Sequence, residues 1–139
     1  MVLDFRFPAI EINYNMAWKY QKEIEKLPNC PPDNYEEKCQ VAFRWVFKDS
    51  NHPNNFQPPL AIEPTRINKG QFKNNSAKIC EGYALSLYDN IDNAKISYSM
   101  LKKRMRKIEQ ILGTHIAKGI IAKNYGIVSQ TVDITNKNH

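Results

Sequence analysis

Six apolar side chains, Ala94, Tyr98, Leu101, Met105, Ile108 and Leu112, recur at steps of four and three, which is the spacing of an amphipathic helix. A stripe of this kind holds its helix only when it is covered, so the rest of the chain must supply an apolar surface beneath it. Asp89 or Asn90 can cap the first turn, Asp92 suits the positive helix end, and Gly113 offers a left-handed stop. The pattern predicts one continuous helix from 90 to 112.

The covering surface reads as a sheet. From Val41 to Lys48 the side chains alternate, with Val41, Phe43, Trp45 and Phe47 on one face and Ala42, Arg44, Val46 and Lys48 on the other. The aromatic face is expected to be the packed one, because each aromatic ring removes ~150–250 Å² from water. Stacking of exposed bases is the competing use, but the run lacks the glycine and charge pattern of sheet-based RNA binders. Arg44, on the less bulky face, is expected to reach solvent across an open sheet; the alternative is a cleft in which it grips an anion.

Other β-rich runs are 3–12, Pro59 to Glu63 as a brief edge strand, Glu81 to Tyr88, His115 to Ala122, and Gly126 to Ile134. Lys123-Asn124-Tyr125-Gly126 is a hairpin turn between the last two. Met16 to Lys26 reads as a short N-terminal helix ended by Pro28. Residues 29–33 and 49–58 are loops, and 65–78, rich in Asn and Lys, is expected to be a mobile one. The sum is one α+β domain over 1–139, with a mostly antiparallel sheet of five to six strands, one long amphipathic basic helix and one short N-terminal helix. With 139 residues and 42% hydrophobic content, the chain can bury a proper core.

No run approaches the ~20 apolar residues of a membrane span. Asp4, Arg6, Pro8 and Glu11 break the N-terminal stretch, so it does not read as a signal peptide. Cys30, Cys39 and Cys80, an odd number at irregular spacing, are expected to be reduced thiols of a cytoplasmic protein. His52, His115 and His139 are dispersed among them without metal-ligand spacing, so no metal is expected. No glycine-rich phosphate loop occurs, and no cofactor is expected.

Charge is segregated. Residues 90–139 carry nine basic and three acidic side chains, and that excess equals the whole formal charge of +6. Five of the basic groups fall in Lys102-Lys103-Arg104-Met105-Arg106-Lys107. On the expected helix, Lys95, Lys102, Lys103, Arg106 and Lys107 form a cationic ridge, with Arg104 nearer the buried edge. A phosphate backbone complements such a ridge, and an acidic protein does so too. An ordinary solvated helix face has the same composition. The expected function is a non-enzymatic binding module for an anionic partner.

The alternative is a small transferase or hydrolase. It needs Arg44, Tyr83, Ser86 and His115 to converge on one pocket; a Cys80–His115 nucleophile and base pair is a weaker form of the same idea. Three segments carry a resemblance: Phe43-Arg44-Trp45-Val46-Phe47, Gly82-Tyr83-Ala84-Leu85-Ser86-Leu87-Tyr88, and Leu112-Gly113-Thr114-His115-Ile116-Ala117-Lys118-Gly119. Together they resemble uncharacterised small bacterial proteins. More loosely, an arginine on an early strand and a serine on a second strand are similar to ADP-ribosyltransferase-like toxins of bacterial conflict systems. That resemblance implies Arg44 and Ser86 in a catalytic cleft, but the glutamate such enzymes use has no counterpart after Gly126.

Overall fold

The computed structural model describes residues 5–11, 18–129 and 132–133. Its centre is an antiparallel sheet of β1 (Phe5–Glu11), β2 (Gln40–Val46), β3 (Leu85–Tyr88), β4 (His115–Ile121) and β5 (Gly126–Val128), in the order β4-β2-β3-β1-β5. A two-residue strand, β6 (Val132–Asp133), pairs beside β1. Around the sheet lie α1 (Gln21–Ile24), α2 (Pro59–Ile62), α3 (Ser76–Gly82), α4 (Ile91–Arg104) and α5 (Ile108–Leu112). The α+β expectation holds. Residues 3, 4, 12, 16 and 17 of the expected first strand and helix lie outside the described residues, as do 130, 131 and 134 of the expected last strand.

The sheet is curled, not flat. β4 and β5 stand at opposite ends of the strand order, yet only residues 122–125 join them. Five strands laid flat span about 19 Å, more than such a link covers, so the edges must approach each other. A backbone pair ties β5 to the segment before β2: Glu36 N–H donates to the Val128 carbonyl at 2.9 Å and Val128 N–H to the Glu36 carbonyl at 2.8 Å. The expected hairpin turn at Lys123–Gly126 is therefore a crossover between non-adjacent strands.

Curling gives the sheet an inside and an outside. Ala9, Ala42, Leu85, Leu87, Ile121 and Val128 form the inner cluster, with Tyr125 against it. Outside, Ile10, Ile24, Cys80 and Ala84 pack with Trp18, Tyr20 and Tyr83 between the sheet and the short helices. α4 covers another part of the outer face. Trp45 stacks on Tyr98 with ring centroids 4.1 Å apart and donates from Nε1 to the Ala94 carbonyl at 2.9 Å. Tyr88 and Ser97 hydroxyls share a buried hydrogen bond of 2.7 Å. Of the aromatic face of β2, Trp45 packs under α4 while Phe47 stacks on His52 and Val41 is exposed; the buried residues of the strand, Ala42 and Val46, lie on the other face.

Four local expectations are corrected. Cys30 and Cys80 are joined as a disulfide with Cα atoms 5.9 Å apart, and only Cys39 is free, so cysteine usage no longer argues for a reducing compartment. The expected edge strand at 59–63 is instead the helix Pro59–Ile62: Pro59 sits at the first helical position, where its missing N–H costs nothing. Residues 65–78 are not a bare loop but contain two 3-10 turns, Pro64–Asn68 and Gly70–Phe72, and the start of α3, which Asn75 caps through Lys78 N–H. Phe72 is buried there beside Leu60 and Gly82, and that burial anchors the segment.

The fourth concerns the long helix. Its ends fall where expected: Asn90 caps Asn93 N–H at 2.8 Å, and Gly113 stops it at φ +85°. Its interior breaks, because Met105 is extended at φ −131° and α5 starts afresh at Ile108. A continuous helix would stack Lys102, Lys103, Arg106 and Lys107 as like-charged neighbours at three- and four-residue spacing, which is unfavourable. The break separates them and lets Ile108 bury completely.

Candidate functional site

β2 and β3 share one register pair, Phe43 with Tyr88, and then part. The Arg44 side chain enters the gap. Its Nε donates to the Asn55 carbonyl at 2.7 Å, Nη1 to the Ser86 carbonyl at 3.1 Å, and Nη2 to the Gln57 carbonyl at 3.3 Å. The guanidinium thus ties β2 to the β3 backbone and to the 55–57 loop where the strand pairing is short. The loop it holds is itself ordered. Buried Asn55 accepts from Phe47 N–H at 2.7 Å and donates to the Asp49 carbonyl at 3.0 Å. Arg44 therefore does not reach solvent across an open face, as the alternation of β2 suggested.

Burial lowers the Arg44 pKa, while Tyr125, Glu11 and Tyr88 act in the opposite direction. Guanidinium stays charged despite such a shift. Glu11, 3.7 Å from Lys19, is raised above its ordinary value by burial, against the pull of Lys19 and Arg44. Tyr125 bonds Glu11, and burial together with that carboxylate raises its hydroxyl far above the usual phenol range. In this inner cluster of one base, one acid and one phenol, burial outweighs the attraction of the cations for Glu11.

Above the strand split lies a cavity of about 520 Å³. Arg44, Trp45, Phe47 and Ser86 form part of its lining, α2 and the following turn contribute Pro59, Ile62, Glu63 and Arg66, and the helix break contributes Met105, Gln110, Ile111 and Leu112. The lining is mainly apolar with a few amides, the usual make-up of a small-molecule site. Arg66 is engaged already, 3.8 Å from Glu63 and over the Phe72 ring at 5.3 Å.

Of the four residues on which the enzyme reading depends, Arg44 and Ser86 line this cavity and Tyr83 and His115 do not. Tyr83 packs in the outer cluster, its ring 5.7 Å from Tyr20. His115 is exposed at the start of β4, where Nδ1 bonds the Thr114 hydroxyl at 2.9 Å. Cys80 is in the disulfide and cannot serve as a nucleophile. Among the described residues, no three His, Cys, Asp or Glu side chains are grouped to hold a metal ion.

The cationic residues divide. Lys102 is paired with Glu109 across the break, and the two hold each other charged: the hydrogen bond raises the lysine and lowers the glutamate. Lys103, Arg104, Arg106 and Lys107 are exposed and make no ion pair with any described acidic residue. They form a corner rather than a straight ridge, and Arg104 stands in solvent instead of near the core. Lys95, also exposed, lies about 12 Å up α4 from this corner. Arg44 and Ser86 are legible in the sequence as cleft residues, but the rest of the lining is not, because it comes from separate loops and helices and carries no motif.

No helix among the described residues is long and apolar enough to cross a membrane. No family model, curated protein or solved structure matches this chain.

Proposed function

We propose that the chain is a binding module for nucleic acid, gripping phosphates with the corner between α4 and α5. The observation that carries this reading is the group Lys103, Arg104, Arg106 and Lys107, exposed and without an acidic partner among the described residues. A protein that placed these groups only for solubility would gain by interspersing both signs of charge. Here none of the described acidic residues of the first half forms an ion pair with them. Phosphates spaced along a flexible strand can each meet one cation, and every neutralised phosphate releases condensed counterions. Lys102 serves a different purpose, tying the two helices together through Glu109.

The test is fluorescence anisotropy of labelled single- and double-stranded oligonucleotides with the protein and with a variant carrying Lys103→Gln, Arg104→Gln, Arg106→Gln and Lys107→Gln. Lys102 is left in place to preserve its ion pair. Binding at about 50 mM salt that vanishes in the variant supports the reading. Absence of binding by the unmodified protein at that salt makes the corner an ordinary solvated surface.

A further inference from the structure

The corner and the cleft are one continuous surface, joined at Met105. Met105 lines the cavity and is 36% exposed, while its sequence neighbours Arg104 and Arg106 stand in solvent on either side. A strand that bridges those two cations has Met105, a residue of the cleft lining, between its contacts. We infer that the cleft receives one unstacked nucleobase from a single strand whose phosphates lie on the corner. This rests on the proposed function and specifies its ligand.

Three features of the cleft select such an occupant. Its volume of about 520 Å³ admits a base with its sugar, whereas a stacked duplex has no group that can enter. Its walls offer branched apolar surface from Ile62 and Ile111 to a planar ring, together with what Trp45 and Phe47 leave free of their contacts with Tyr98 and His52. The side-chain amides of Gln57 and Gln110 have no partner among the described residues, and each can both donate to and accept from a base edge. Arg44 fixes the floor but is committed to its three carbonyls, so it sets the shape of the cleft instead of competing for a phosphate. An acidic peptide would satisfy the corner and leave the cleft unused.

The experiment compares an oligothymidylate with an abasic strand of the same length, which keeps the phosphates and lacks the bases. The expected result is about tenfold weaker binding of the abasic strand, and changed emission from a 2-aminopurine placed mid-strand when the protein binds. A variant with Ile62→Gln and Ile111→Gln, both more than 40% exposed and checked for an unchanged urea midpoint, should bind the two strands alike. Equal affinity of the unmodified protein for both strands overturns the cleft inference and leaves the corner reading standing. Binding of neither strand overturns both.

Discussion

Arg44 and Ser86 are bound to each other across the point where β2 and β3 separate, guanidinium to carbonyl at 3.1 Å. A side chain from one strand thereby does the work of a backbone ladder and keeps open a gap that becomes the floor of the cleft. The sheet stays continuous although two of its central strands hardly pair.

That arrangement predicts the effect of Arg44→Met. The substitution keeps the apolar stem but leaves the carbonyls of Asn55, Gln57 and Ser86 without their donor. A loss of about 3 kcal/mol is expected in urea denaturation, since each buried group left unpaired costs ~1–3 kcal/mol. Arg44→Lys should recover only part of it, because one ammonium cannot reproduce the planar fork. A loss below about 0.5 kcal/mol for the Met variant would show that water replaces the guanidinium freely.

The Cys30–Cys80 disulfide closes a separation of 50 residues and ties the loop after α1 to α3. On the chain-entropy model its removal costs about 4 kcal/mol. Urea midpoints with and without reductant should differ accordingly. Alkylation of the unreduced, denatured protein should label one thiol, that of Cys39; three labelled thiols would contradict the pairing.

Gly113 has φ +85°, and a Cβ placed there would lie 2.1 Å from the Val46 carbonyl oxygen. Gly113→Ala should therefore lose at least about 2 kcal/mol, from strained backbone and displacement of the β2 end together. Tyr98, whose hydroxyl donates to the Gly113 carbonyl at 2.9 Å, tests the same junction more gently. Tyr98→Phe should cost about 1 kcal/mol.

Glu11 carries a pH dependence whose sign follows from its environment. Burial raises its pKa above 4.5 in the folded chain, so the folded state holds the proton more tightly than the unfolded one. Its contribution to stability is complete below about pH 4.5 and is lost as pH rises through the folded value. Relative to Glu11→Gln, the unmodified protein should lose stability as pH rises above about 4.5. Parallel stability curves for the two proteins would argue that Lys19 cancels the burial.

If Lys103, Arg104, Arg106 and Lys107 each neutralise one phosphate of a single strand, log K should fall with log salt at a slope of about −3. Replacing one of the four by Gln should reduce that slope by about 0.7 and weaken binding to all sequences alike. A slope near zero would mean that the corner takes no part in binding.

Local chemistry determined a good deal on its own. The oxygen-bearing side chain of Asn90 makes a cap wherever a helix follows it, Gly113 makes a stop wherever the backbone must turn left-handed, and the alternation of β2 puts Trp45 opposite Arg44 in any sheet. The concentration of positive charge after residue 90 is likewise a property of the sequence alone. These signals span a few residues, and their outcome is settled by dihedral preference and side-chain period.

Tertiary structure decided what distant groups had to settle between them. Whether 90–112 runs straight depended on Glu109 reaching Lys102 and on Ile108 finding the core, so the helix breaks at Met105 despite its unbroken apolar period. Lys123–Gly126 has the composition of a hairpin turn, but curling of the sheet makes it a crossover. Cys30 and Cys80 pair because folding brings α3 against the loop after α1. Arg44 belongs to the inside of the molecule because β2 and β3 part around it, and that gap exists only once Arg44 and Ser86, 42 residues apart in the chain, have come together.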